Sequence, residues 1–218
     1  RVVLPTYAFQ RARYFIEPGE QAVLPPLAEP ERIDDIGHWG HVPRWRQRHA
    51  AGGEEALEAL AEHPQRWLMF MDRSGLAQGV AARLRDAGHE VIEVIAADAF
   101  AQVSPHRFAL APEQGRAALE EDDRLPERIG HFWLAEQNPW LRPGSSAFDR
   151  NIEQGYWSVT WLGQAFAEAM PEAPVHLTVF TCGAVSVRDE ALSEPEKAVV
   201  VGPAGVLPRE VTGLTCAI

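Results

Sequence analysis

The chain has 218 residues, with 20 Lys and Arg against 31 Asp and Glu and a formal net charge of -11. That is long enough for one ordinary domain with a sizeable core plus some linker. The acidic balance, without clustered Lys and Arg, argues against nucleic-acid binding and against attraction to anionic lipid. No run approaches the roughly 18 apolar residues of a membrane span, and the first residues lack a secretory pattern, so the expected compartment is cytoplasmic.

Both ends read as cut from something larger. Arg1 opens the chain without a methionine, and Thr215-Cys216-Ala217-Ile218 reads as a strand with no tail. An excised fragment is the simplest expectation. Residues 1–18 hold Leu4-Pro5-Thr6-Tyr7-Ala8-Phe9-Gln10 and then Arg11, Arg13, Tyr14, Phe15 and Ile16. They lack helical periodicity and should pack as an extended strap. Residues 17–30 are rich in Pro, Glu and Gly and read as a linker. Trp39, Val42, Pro43 and Trp45 re-enter a fold, and a short helix over residues 54–62 carries Leu57 and Leu60 before Pro64 stops it.

Residues 67–95 scan as strand, glycine turn, helix, strand. The run Trp67-Leu68-Met69-Phe70-Met71 is continuous and apolar, and it breaks at Asp72-Arg73-Ser74-Gly75, as a buried parallel strand does at a turn. Leu76, Val80 and Leu84 recur every fourth residue with Ala77 and Ala81 beside them, and are expected to form the core stripe of a helix that Gly88 ends. The second strand covers residues 90–95. A dinucleotide-binding unit would place G-x-G-x-x-G at the first turn, so that backbone approaches the pyrophosphate at the helix N-terminus. Only Gly75 and Gly79 are present. The segment therefore reads as a βαβ half-unit and a poor phosphate cradle, with Asp72, Gly75 and Gly79 the only candidates for nucleotide contact.

An irregular stretch is expected up to Pro105, then a short strand over residues 107–110 and a helix near residues 113–121. The acidic run at residues 120–123 reads as solvated surface. Residues 128–134 read as a buried strand, followed by a loop through Pro139, Pro143 and Gly144. The longest helix should run over residues 148–170, its core stripe being Ile152, Tyr156, Val159, Leu162, Phe166 and Met170. A strand over residues 176–181 follows. Ser193-Glu194-Pro195-Glu196 matches a capping box opening a helix through Lys197 to Val201, which Gly202-Pro203 should stop. A turn through Pro208 and Gly213 delivers the last strand. Strands alternating with helices at this spacing imply an α/β fold, a truncated Rossmann-like parallel sheet with flanking helices, preceded by an extended linker.

The chemistry of short-chain reductases needs a tyrosine with a lysine four residues later on one helix. Here Tyr7 is followed by Arg11, Tyr14 by Pro18 and Tyr156 by Thr160. A Gly-x-Ser-x-Gly elbow is missing, and Cys182-Gly183 has no evident base. Cys182 and Cys216 sit in apolar runs without Cys/His spacing and read as buried reduced thiols. His38 and His41 are three apart, but Gly37 and Gly40 make a helix doubtful and no cysteine completes a zinc site. Asp72 and Asp98 occupy places where nucleotide folds use acids, yet without the glycine cradle they read as turn and cap residues. Arg44, Arg46 and Arg48 beside Trp45 form a small basic cluster suited to docking a neighbouring domain or simply solvated.

The segment Leu4-Pro5-Thr6-Tyr7-Ala8-Phe9-Gln10-Arg11-Ala12-Arg13-Tyr14-Phe15 resembles the linker after the acyltransferase domain of type I modular polyketide synthases, with Ala8 for a usual proline and Phe15 for a usual tryptophan. The rest is similar to the ketoreductase structural subdomain of the same synthases. That likeness rests on Val42-Pro43-Arg44-Trp45, Asp72-Arg73-Ser74-Gly75-Leu76, Phe148-Asp149, Gly155-Tyr156 and Pro195-Glu196-Lys197-Ala198. It continues through Gly202-Pro203, Leu207-Pro208-Arg209-Glu210 and Gly213-Leu214-Thr215-Cys216.

The resemblance implies two parts, a post-acyltransferase linker over residues 1–38 and a non-catalytic truncated Rossmann subdomain over residues 39–218. It implies no catalytic residue, metal or cofactor here, with NADPH or S-adenosylmethionine held by an adjoining domain. The implied partners are acyltransferase and ketosynthase through the linker, and a ketoreductase catalytic subdomain or inserted methyltransferase through the Rossmann-like unit. Acyl carrier protein is an indirect partner. Where no active catalytic half exists, such a region is a pseudo-ketoreductase. The alternative is a subunit of an NADPH-dependent ketoreductase in which Asp72, Gly75 and Gly79 hold nucleotide atypically, and a third possibility is a regulatory ligand-binding domain of the Rossmann class.

Overall fold

The computed structural model describes residues 34–40, 46, 53–111, 125–137, 146–169, 174–187 and 190–218. The chain divides into two units, Arg1–Pro43 and Arg44–Ile218. In the first, the described residues hold a 3-10 turn, Ile36–His38, where the Gly37 amide donates to Asp35 Oδ1 at 2.8 Å. The strap and linker expected before residue 31, the cluster of Arg44, Trp45 and Arg48, the helix near residues 113–121 and the loop through Pro139, Pro143 and Gly144 lie outside the described residues.

The second unit runs α1 (Gly53–Glu62), β1 (Arg66–Met71), α2 (Leu76–Asp86), β2 (Glu90–Ala96), β3 (Ala101–Ser104), β4 (Arg107–Leu110) and β5 (Arg128–Leu134). It continues with α3 (Ser146–Ile152), a π turn (Glu153–Trp157), α4 (Ser158–Ala169), β6 (Val175–Thr181), a 3-10 turn (Pro195–Val200), α5 (Val201–Glu210) and β7 (Leu214–Ala217). Seven strands form one sheet in the order β3-β4-β2-β1-β5-β6-β7. Every pairing is parallel except β3 with β4. The fold is thus the α/β parallel sheet that the alternation of periodicities implies. The stretch before Pro105 is a correction: it forms the antiparallel edge strand β3 rather than irregular chain. All four of its residues are exposed, so it carries no burial pattern to read, and its backbone pairing with β4 holds it.

Successive side chains of β1 feed two cores, as the period of a strand requires. Leu68 and Phe70 join Ile92, Val94, Ile129 and Leu177 beneath Val159, Leu162 and Phe166 of α4 and Leu207 of α5. Met69 and Met71 join Val91 and Phe132 against α2, with Leu60 of α1 at the margin. The buried face of α2 is Ala77, Ala81 and Leu84, whereas Leu76 is 52% exposed and Val80 only half-buried. The expected stripe is therefore turned by about one residue. Small alanines let the helix axis come close to the sheet, and a reading weighted by side-chain size overlooks them. The helix ends as expected at Gly88, whose φ is 87°. The amides of Gly88 and His89 bond back to Arg85 and Leu84, which closes a Schellman cap.

Two other helices differ from expectation. The one placed over residues 148–170 starts at Ser146 and is broken by the π turn, whose extra residue re-phases the buried face. Val159, Leu162 and Phe166 stay in the core, Ile152 and Tyr156 are half-buried, and Gly155 and Ser158 take the buried positions. Met170 lies outside the described residues. At the chain's end, Gly202-Pro203 does not stop a helix but sits in the first turn of α5, where a missing N–H costs nothing. The capping box is not formed either. Glu194 makes no side-chain cap bond, the Ser193 hydroxyl accepts from Gln137 Nε2 at 3.1 Å, and Glu196 accepts from Asn151 Nδ2 at 2.7 Å.

Strand order runs outward from β1 in two directions, so right-handed crossovers place α2 on one face and α4 with α5 on the other. Among the described residues no helix covers β6 and β7 on the α2 side. There β6 alternates: Val175, Leu177 and Val179 are buried, while His176 and Thr178 are half-buried and Phe180 is 40% exposed. Phe180 stacks on Phe132 with ring centroids 4.0 Å apart.

Candidate functional site

The strand order reverses between β1 and β5, and in open α/β sheets ligands bind outside the carboxyl ends of the strands at that switch point. A cleft of about 740 Å³ lies there, lined by Asp72 and Arg73 after β1, Ile95 at the end of β2, Trp133 of β5, and Arg150 of α3. Trp133 is buried, and its indole N–H has no hydrogen-bond partner among the described residues.

The structure places Asp72 and Gly75 in the turn that caps α2 and Gly79 inside that helix. Asp72 Oδ1 accepts the Ala77 amide at 2.8 Å and Oδ2 accepts the Leu76 amide at 3.3 Å and the Ser74 hydroxyl. These are amides at the helix N-terminus that a pyrophosphate would use, and the carboxylate adds a negative charge beside them. Partial burial pushes the Asp72 carboxyl up, but the Ser74 hydroxyl and the Ala77 and Leu76 amides together outweigh it and hold the pKa below the ordinary value. Gly75, with φ 91°, is needed for its left-handed backbone. A Cβ on Gly79 would meet nothing within 4 Å, so no close backbone approach demands glycine there. Asp98 is exposed in the turn after β2.

A buried cation near the carboxyl ends of β5 and β6 is absent from the sequence-based candidates. Lys197 Nζ donates to Glu194 Oε2 at 2.6 Å, to the Glu136 carbonyl at 2.5 Å and to the Cys182 carbonyl at 3.2 Å. It ties the loops after β5 and β6 to the turn before α5. The available signal was a lysine three residues after a glutamate and directly before the apolar run Ala198-Val199-Val200-Val201.

His131 is fully buried, stacks on Phe70 at 4.9 Å and pairs through Nε2 with Ser158 Oγ at 2.9 Å. Burial pushes its pKa down to about 3, which keeps the ring neutral. His176 is lowered by burial and then by nearby Arg128, and its Nδ1 meets Thr215 Oγ1 at 2.8 Å. Cys182 and Cys216 are free thiols, half-buried rather than buried, and burial pushes Cys216 up to about 11. His38 is exposed, 3.9 Å from Asp35, and His41 lies outside the described residues. Among the described residues no group of three or more His, Cys, Asp or Glu could hold a metal, and no helix is long and apolar enough to cross a membrane.

No family model matches the chain, and no curated protein matches it. Solved structures do. The chain is similar to a multidomain structure with adenylation, ketoreductase and pseudo Asub parts from a keto acid-selecting NRPS module, at 21% identity and TM-score 0.62 over 71% of this chain and 13% of that one. It is similar to an N-terminal ketoreductase from a macrolactin assembly line, at 16% identity and TM-score 0.56 over 71% of this chain and 31% of that one. A short-chain dehydrogenase/reductase variant from Serratia marcescens aligns at 16% identity and TM-score 0.50 over 71% of this chain and 78% of that one. The match thus spans under a third of each of the first two. The fold is that of Rossmann-like ketoreductases and short-chain dehydrogenases.

Proposed function

We propose that the chain is a non-catalytic structural unit of a multidomain type I polyketide synthase, built like the structural half of a ketoreductase and serving as a docking scaffold in the cytoplasm. One observation carries this reading: the half-sheet of β6 and β7 opposite α5, uncovered among the described residues and presenting Phe180 stacked on Phe132. A complete doubly wound domain covers both faces of such a sheet. Support also comes from the Asp72 carboxylate on the α2 amides and from the missing Tyr-x-x-x-Lys pair. The two ketoreductase-containing neighbours come from modular assembly lines by their names.

In this reading residues 1–38 return along acyltransferase and ketosynthase, and residues 39–218 support a ketoreductase catalytic subdomain or an inserted methyltransferase. Acyl carrier protein is served indirectly, and NADPH or S-adenosylmethionine belongs to the neighbour. The test is turnover. The chain incubated with NADPH and acyl thioesters should neither oxidise the cofactor nor transfer the acyl group, and sustained NADPH oxidation abolished by altering Gly79 would favour a nucleotide-binding subunit instead.

A further inference from the structure

We propose that the cleft at the carboxyl ends of β1, β2 and β5 receives an acidic polypeptide segment from a neighbouring domain, held by Arg73, Arg107 and Arg150. The inference rests on the scaffold reading and names the chemistry of one contact within it. In a chain of net charge -11, three guanidinium groups converge on one cleft. Arg73 and Arg150 make no ion pair or hydrogen bond among the described residues. Arg107 Nε lies 3.6 Å from Glu93 Oε2, while Arg85 holds the other oxygen, Oε1, at 2.7 Å, so Arg107 reaches the cleft as one half of an ion pair. Two acidic residues, Asp72 and Glu136, line the same cleft, and the Asp72 charge is committed to the α2 amides.

The same geometry selects polypeptide over nucleotide. A pyrophosphate offers only acceptors and would approach the helix N-terminus, where Asp72 already occupies the Leu76 and Ala77 amides. A peptide offers donors and acceptors in alternation. Gln78 and Gln154, which also line the cleft, can satisfy both, while the arginines bind Asp or Glu carboxylates bidentately. Trp133 adds an apolar ring surface to the lining.

The test uses the full chain and a fluorescein-labelled oligo-glutamate peptide, read by anisotropy at low and high salt, with pyrophosphate and NADPH as competitors. Saturable, salt-sensitive binding is expected, weakened about tenfold or more in the double variant Arg73→Glu, Arg150→Glu. Both positions are exposed, so thermal unfolding should be unchanged. Binding undiminished in that variant, or no binding at low salt, overturns the inference and leaves the scaffold reading standing. NADPH binding that the double variant abolishes, without peptide binding, overturns both.

Discussion

Lys197 and Glu194 meet at 2.6 Å in a position where their side chains are 1% and 0% exposed. Burying two charges is worthwhile only when geometry and extra hydrogen bonds satisfy both, and here the carbonyls of Glu136 and Cys182 complete the ammonium's shell. Lys197→Met should destabilise the chain by about 3–5 kcal/mol, because it removes the ammonium from a buried, hydrogen-bonded ion pair. The double variant with Glu194→Gln should recover much of that loss. Urea unfolding of both variants measures it, and equal losses in the two would show that the pair is not coupled.

His131 gives stability a definite pH dependence. Its folded pKa is about 3 against an unfolded value of 6.5, so between those limits the unfolded chain holds a proton that the folded chain refuses. Its contribution is fully present above pH 6.5 and declines as pH falls toward 3, by up to about 1.4 kcal/mol per pH unit. His176 and Asp72 are lowered too and act in the same direction. Denaturation at a series of pH values should show the slope, and His131→Gln should flatten it.

Gly163 of α4 faces Leu207 of α5 so closely that an added Cβ would lie 2.8 Å from Leu207 Cδ1 and 3.0 Å from its Cγ. Gly163→Ala should cost about 1–3 kcal/mol through overpacking. Pairing it with Leu207→Val should relieve part of the cost in the same unfolding measurement.

Gly79 lies in the interior of α2 with open space beyond its Cα. Gly79→Ala should therefore stabilise the chain by about 0.4–1 kcal/mol through the entropy of the unfolded state. Were the glycine kept for a phosphate, the same substitution would also weaken nucleotide binding.

How far these features were legible follows from the kind of signal each sends. The strands β1, β2, β5 and β6 were legible because buried parallel strands concentrate apolar residues, as in Trp67-Leu68-Met69-Phe70-Met71. The edge strand β3 was not, since its four exposed residues are specified only by pairing with β4. The face of α2 was misjudged because Ala77 and Ala81 pack more closely than Leu76 and Val80. A π turn leaves almost no trace in sequence, so the shift at Gly155 and Ser158 was invisible to a fixed 3.6-residue period. In the site, Asp72 was legible as a turn and cap residue, and its occupation of α2 is a local consequence of Asp72-Arg73-Ser74-Gly75. The arginines of the cleft were not legible, because Arg73, Arg107 and Arg150 come from three separate elements that only the sheet brings together.

The central claim is that the Rossmann-like unit supports a partner and holds no nucleotide of its own. Calorimetric titration of NADPH into the full chain tests it most directly. The account predicts no saturable heat, because Asp72 occupies the Leu76 and Ala77 amides where the cofactor's pyrophosphate would bind. A saturable isotherm with micromolar affinity would contradict it.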